Sequence, residues 1–284
     1  MHQITILGAS GFIGRHLAAH LRDRGDIVIE GQLRDVTSAA KQCKGSDIVV
    51  NLAGAPAARR WTAACKEEIR GSRVDAPRAL IQELGILPAG TRPKAYISAS
   101  AVGYYGTSFT ATFTESSPPG NDFLADVCVG CEREANLATA YGLRVAIVRT
   151  GIVLGPDGGV LKPLLPVFKA GMGGRIASGK QWVSWIHIDD QVGIYAAAID
   201  GAQGVLNATA PVPVTNAEFT ASLARALHRW HFLPTPAIAL QAVFGEGARM
   251  MTEGQRVLPV RTQAVGYQFK FPHIEEALTS MFRR

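Results

Sequence analysis

The stretch Gly8-Ala9-Ser10-Gly11-Phe12-Ile13-Gly14 constrains the fold more than any other part of the chain. It follows Gln3-Ile4-Thr5-Ile6-Leu7, an apolar run of strand type. It precedes Arg15 to Arg24, where Leu17, Ala18 and Leu21 recur at helical spacing. A glycine-rich turn therefore joins a first strand to a first helix. Glycine permits a tight turn and close backbone approach, and the helix N-terminus presents unpaired N–H groups to an anion. The pattern predicts a dinucleotide site; a tight turn that binds nothing is the plainer alternative.

Strand-like and helix-like runs alternate up to about residue 150. Asp47 to Asn51, Lys94 to Ser98 and Arg144 to Val148 read as strands. Trp61 to Leu84 and Asp126 to Ala140 read as helices. Such alternation predicts an α/β fold with a doubly wound parallel sheet covered on both faces, and ligands beyond the carboxyl ends of its strands. After Gly151 the pattern loosens into a loop at Gly155 to Gly159 and a helix over Leu161 to Ala170. Asp190 is expected to cap a helix over Gln191 to Ile199, and Asn216 one over Ala217 to Leu227. The boundaries expected are a nucleotide-binding domain over 1–155, completed by about 183–207. Residues 156–182 and 208–284 form a smaller mixed α+β substrate-binding part, with a cleft between the two.

At 284 residues, 47% hydrophobic and 18% charged, the chain describes a globular protein with a sizeable core. It has no run of about 18 apolar residues, so no membrane partner is expected. The first strand begins at once, which leaves no signal peptide and makes the cytoplasm the expected compartment. The net charge of +6 is scattered, with local pairs at Arg59-Arg60 and Arg283-Arg284. No basic run points to nucleic acid, and the surplus suits an anionic ligand or a solvated surface. Cys128-Val129-Gly130-Cys131 has no second CxxC to complete a zinc site, so packing is the expected role. His187, Asp189 and Asp190 crowd one short junction, which makes joint metal coordination awkward, and no metal is expected.

Further motifs are Asn51-Leu52-Ala53-Gly54, Ser98 to Gly106, Arg149 to Pro156, and Trp185 to Asp190. Together with the glycine turn they resemble the extended short-chain dehydrogenase/reductase superfamily. Arg60-Trp61, Ser72-Arg73, Gly179 to Trp185 and Gln255 to Pro259 resemble an atypical branch of it. These are the NAD(P)-dependent epimerase family proteins with a C-terminal segment of unknown function. The resemblance covers nearly the whole chain and implies a Rossmann-type first domain. It implies that Gly8, Ser10, Gly11, Phe12, Ile13 and Gly14 hold the pyrophosphate. Leu52, Ala53 and Gly54 would line the adenine and ribose side, and Thr150 and Gly151 would lie near the nicotinamide.

An acid at the end of the second strand binds ribose hydroxyls, whereas an arginine accepts a 2′-phosphate. Arg34 stands about twenty residues past Gly14, where a phosphate-binding residue is expected. Arg34 thus points to NADP, with NAD on Glu30 as the alternative. The stretch to Asn51 is short, so one usual strand is missing, and Gly31 to Asp35 ends either the second strand or the third.

The superfamily's serine, tyrosine and lysine carry its proton transfer. Ser100 matches the serine, with Ser98 competing. Counting back from Glu132, the tyrosine and lysine positions fall on Leu124 and Cys128, and no YxxxK occurs in this chain. The resemblance therefore implies altered chemistry. Tyr104 and Tyr105 are candidate substitute acids, against a packing role. Asp126 and Glu132 are further candidate acids or bases, against a surface charge for Asp126 and a structural hydrogen bond for Glu132. His187 would face substrate or neighbouring backbone. Gln181, Trp185, His187 and Arg256 are the candidate substrate-binding residues, and Trp182 and Ser184 stand beside them. Lys162, Arg175 and Lys180 are further loop cations. The implied substrate is a sugar nucleotide or related anionic small molecule. Two functions stay open: an NADP-dependent oxidoreductase or epimerase, and a binding protein that senses NADP(H) with little turnover. The protomer is expected to act alone or as a homodimer.

Overall fold

The computed structural model describes residues 1–231 and 233–282; Arg283-Arg284 lies outside the described residues. The chain begins β1 (Gln3–Leu7), α1 (Phe12–Asp23), β2 (Ile27–Gly31), α2 (Val36–Cys43) and β3 (Ile48–Asn51). It continues through α3 (Ala63–Arg70), a π-helical turn (Gly71–Asp75) and α4 (Ala76–Ile86) to β4 (Ala95–Ala101). Then come β5 (Thr112–Phe113), α5 (Phe123–Asn136) and β6 (Arg144–Thr150). The rest comprises β7 (Ile152–Gly155), β8 (Gly158–Gly159), α6 (Leu161–Lys169), β9 (Trp182–Val183), β10 (Trp185–His187) and α7 (Ile188–Ile199). It ends with β11 (Gly204–Ala208), β12 (Val214–Thr215), α8 (Asn216–Ala226), α9 (Ala237–Phe244), α10 (Arg249–Thr252), β13 (Arg256–Val257), α11 (Val260–Ala264) and α12 (Ile274–Phe282).

Six strands form one parallel sheet in the order β11-β6-β4-β3-β1-β2. Alternate residues of each strand serve opposite faces, as the pleat requires. Ile48, Val50, Ile97, Ala146 and Val148 enter one core with Leu17 and Leu21 of α1 and Val192 and Tyr195 of α7. Val49, Tyr96, Val145 and Ile147 enter the other with Leu80, Ile81 and Leu84 of α4. The chain leaves β1 for β2 on one side and returns for β3 on the other. That reversal opens a crevice beyond the carboxyl ends of β1 and β3. Gly31 closes β2 beside Leu7, and Asp35 caps α2, so this segment ends the second strand and not the third.

The later segments pack onto this frame. β10-β7-β8 form a small sheet, β9 pairs β12, and β13 pairs β5, while β11 rejoins the main sheet. Trp185, Phe168, Phe219, Leu223 and Leu278 build their common core. No helix among the described residues is long and apolar enough to cross a membrane.

Three local expectations are corrected. His187, not Asp190, caps α7 by accepting the Asp189 N–H. Asp190 turns inward, fully buried, and accepts Tyr267 Oη at 2.9 Å and the N–H groups of Lys270 and Phe271 at 2.8 and 3.0 Å. Thr215, not Asn216, caps α8, in a reciprocal capping box with Glu218. The single helix expected over Trp61 to Leu84 starts at Ala63 behind the Thr62 cap and is interrupted by the π-turn.

Candidate functional site

The glycine turn has the shape a pyrophosphate needs. Gly8 has φ +87° and lies against the Leu52–Ala53 backbone, which a Cβ would approach to 3.0 Å. A methyl group on Gly14 would collide with the Gly8 carbonyl oxygen, so glycine is what lets α1 start this close to β1. Gly11 caps α1 without a side-chain hydrogen bond, and the first turn carries no acid. Ser10 and Gly11 are exposed, so the start of α1 is open, and helix polarity favours an anion there. The residues present fit a dinucleotide pyrophosphate. Ile13 packs toward the core. The Phe12 ring turns away, filling the space in front of Gly155 and Gly158. Across the crevice, buried Asn51 accepts the Ala53 N–H at 3.1 Å and donates to Tyr96 Oη at 2.9 Å, fixing the Leu52-Ala53-Gly54 turn.

At the end of β2, Glu30 is engaged by Arg22 at 2.6 Å. Arg34 is exposed, three residues past β2, and forms no ion pair among the described residues. The cation is free and the acid is occupied.

The proton-transfer candidates form a closed network. Ser100 donates to Glu132 Oε1 at 2.7 Å. Arg149 grips the same carboxylate with two bonds of 2.8 and 2.7 Å. Arg149 also donates to Tyr105 Oη at 2.9 Å, and that phenol donates to Asn207 at 2.7 Å. The guanidinium carbon lies 3.4 Å from the Tyr104 ring centroid. Burial pushes the Tyr105 phenol up to about 12, against the pull of Arg149. Burial alone would lower the Arg149 pKa, but the Glu132 hydrogen bonds reverse the direction. Tyr105 is thus tied into the buried network by its hydroxyl, and the Tyr104 ring lies against the cation. Asp126 is exposed on α5, as a surface charge would be.

A cavity of about 260 Å³ opens beside this network, bounded by Thr150, Gly151, Leu124 and Cys128. Trp61, Ile69, Phe123, Val127, Trp182 and Met250 supply apolar walls. Leu124 and Cys128 thus stand where the resemblance places tyrosine and lysine, and both face the cavity. Burial raises the Cys128 thiol to about 12 and the Cys131 thiol to about 11, so both are neutral near pH 7. Thr150 accepts from Gln191 at 3.2 Å, and Gly151 donates to the Ala208 carbonyl.

Of the expected substrate contacts, few reach this space. Trp185 is fully buried in the core of the later segments and donates to the Val212 carbonyl. His187 stacks on Phe271 at 4.0 Å as well as capping α7, and burial lowers its pKa. Gln181 donates to the Ile176 and Met251 carbonyls. Arg256 lies 4.9 Å from the Trp182 ring, which itself lines the cavity, as does Ser184. Lys162, Arg175 and Lys180 are exposed and do not line the cavity.

A model of the NAD dependent epimerase/dehydratase family matches residues 4–208, and a domain of unknown function matches residues 235–281. The chain belongs to the NAD-dependent epimerase/dehydratase family. It is 40% identical to the Arabidopsis thaliana "epimerase family protein SDR39U1 homolog, chloroplastic" over 99% of this chain and 86% of that protein. The crystal structure of the human epimerase family protein SDR39U1 (isoform 2), solved with NADPH, superposes with a TM-score of 0.89 at 36% identity, covering 98% of each chain. MoeE5, solved with UDP-glucuronic acid and NAD, shares the fold at 21% identity and a TM-score of 0.78, covering 99% of this chain and 97% of that one.

Within this family frame, sequence reasoning missed the role of Arg73. The residue stands one helical repeat after buried Ile69, on the inward face, and an arginine there was the available signal. Its guanidinium packs on Gly54, where a Cβ would meet it at 2.8 Å, and donates to the Ala55 carbonyl at 2.8 Å.

Proposed function

We propose that this family member is an NADP(H)-dependent enzyme that moves hydride to or from a small molecule in the cavity, without a phenol–lysine pair. The carrying observation is continuity. Gly8 lies against Leu52 and Ala53, the next residue Gly54 lies against Arg73, and Arg73 lines the apolar cavity. Free Arg34, occupied Glu30 and the NADPH bound by the human relative support NADP(H) over NAD.

Bound NADP(H) would supply the hydride chemistry. The N–H groups of α1 would bind its pyrophosphate, and Arg34 its 2′-phosphate. Trp61, Phe123, Leu124 and Trp182 exclude water from the substrate space. Ser100 keeps its proton on Glu132 and holds the end of β4 in place. With the Tyr105 hydroxyl bonded to Arg149 and Asn207, proton exchange falls to solvent, to the Tyr104 hydroxyl or to the substrate itself. The cavity is small beside common ligand sites of about 300–1,000 Å³, which favours a compact substrate over a sugar nucleotide.

The test is NADPH deuterated at the transferring position, incubated with small aldehydes, ketones, oxo acids and sugar nucleotides. Deuterium on the carbinol carbon of the alcohol formed from a compact carbonyl compound supports the proposal. A second reading, a sensor of NADP(H) with no turnover, is favoured by Leu124 and Cys128 at the family's proton-transfer positions. Full cofactor binding with no label transfer across the panel would select that reading.

A further inference from the structure

Arg73 is a cation without a counter-charge. No carboxylate of the described residues forms an ion pair with it. The rim acids are engaged elsewhere: Glu246 by Lys66 at 2.6 Å, Glu253 by Arg249 at 2.9 and 3.0 Å, and Asp122 by the α5 N-terminus. The neighbouring thiols of Cys128 and Cys131 are neutral near pH 7. Burial pulls the Arg73 pKa below the ordinary guanidinium value, yet arginine stays charged at any physiological pH.

The local structure holds this cation in place. The π-turn Gly71–Asp75 presents Ser72 and Arg73 together. Ser72 Oγ accepts the Ala55 N–H at 3.0 Å while Arg73 donates to the Ala55 carbonyl. That bond uses one of five N–H donors. None of the remaining Arg73 nitrogens is a buried atom without a partner, and the residue lines the cavity.

Resting on the NADP(H) reading above, we propose that the cavity takes a small, largely apolar carboxylic acid, its carboxylate held by the free donors of Arg73 and its carbon skeleton by Ile69, Leu124, Val127, Ile152 and Trp182. A carboxylate matches the guanidinium fork in charge and geometry, and it compensates the desolvated cation. A neutral sugar would leave the charge uncompensated, and the other cation lining the cavity, Arg249, is already paired with Glu253.

The experiment is calorimetric titration of the NADP⁺-saturated protein with hexanoate, hexanamide and uridine diphosphate. Hexanoate should bind at least about tenfold tighter than the isosteric hexanamide, and tighter than uridine diphosphate. Arg73→Met should abolish that preference and Arg73→Lys should keep part of it, both with NADPH affinity close to the parent's. Equal binding of hexanoate and hexanamide by the parent protein would overturn the inference whether or not the variants fold. So would tighter binding of uridine diphosphate, or a collapse of NADPH affinity in folded Arg73→Met, which would assign the residue to the cofactor. NADPH titration of the parent protein separates the two proposals. Absent cofactor binding with an intact hexanoate preference in the cofactor-free protein would remove the proposed function and leave the carboxylate site standing.

Discussion

The Ser100 hydroxyl and Glu132 Oε1 lie 2.7 Å apart, and Arg149 Nε reaches the same oxygen at 2.8 Å. Ser100 is thereby tied to a buried ion pair whose side chains are 4% and 8% exposed. The pair anchors β6 to α5 and sets the end of β4 beside the cavity. Removing one partner of a buried pair strands the other. Glu132→Ala should therefore cost about 3–5 kcal/mol in urea unfolding, and Glu132→Gln clearly less. A loss below about 1 kcal/mol for Glu132→Ala would show that the pair carries little stability.

Tyr105 gives the matching test of chemistry. Its phenol donates to Asn207 and accepts from Arg149, so Tyr105→Phe should lose about 1–3 kcal/mol of stability. Label transfer from deuterated NADPH should persist at a similar rate in this variant. A fall of about 100-fold or more would identify the phenol as a general acid.

Gly14→Ala tests the cradle. The added methyl group would meet the Gly8 carbonyl oxygen and Ala9, so α1 must retreat from β1. Overpacking of this kind costs about 1–3 kcal/mol, and NADPH affinity should fall with it, as thermal unfolding and fluorescence titration would show. Parent-like affinity would remove the glycine turn from the cofactor site.

Acid stability should depend on Glu134. Hydrogen bonds from Arg78, helped by Arg133, hold its carboxyl down at about 2 against an ordinary 4.5. A depressed carboxylate stabilises the fold above its unfolded value and loses that contribution as pH falls. The loss should develop between about 4.5 and about 2. Urea midpoints across that range should drop less steeply in Glu134→Gln than in the parent. Parallel curves would place the acid sensitivity elsewhere.

The parts of the fold readable in sequence are those fixed by local chemistry. The Gly8 to Gly14 turn stands between an apolar strand and a helix with Leu17 and Leu21 at helical spacing, and each of these signals is complete within about twenty residues. Asp190 shows where local reading stops. An acid before a helical run reads as a cap, but its partners, Tyr267, Lys270 and Phe271, lie some eighty residues later. Trp185 and His187 looked available for substrate because their motif is polar and aromatic, yet packing from α12 and Phe271 encloses them. Arg73 was hidden for the same reason. Its significance depends on Gly54-Ala55 and Cys128 arriving from two other segments, and on a π-turn that helical periodicity does not encode.

The central claim is NADP(H) binding on the Gly8 to Gly14 turn with Arg34 as the phosphate-recognising residue. Fluorescence titration with NADPH and NADH, on the parent protein and Arg34→Ala, tests it directly. NADPH should bind at least about tenfold tighter than NADH, with that preference lost in Arg34→Ala while NADH affinity stays unchanged. Equal affinity for the two cofactors, or a preference that survives Arg34→Ala, would contradict it.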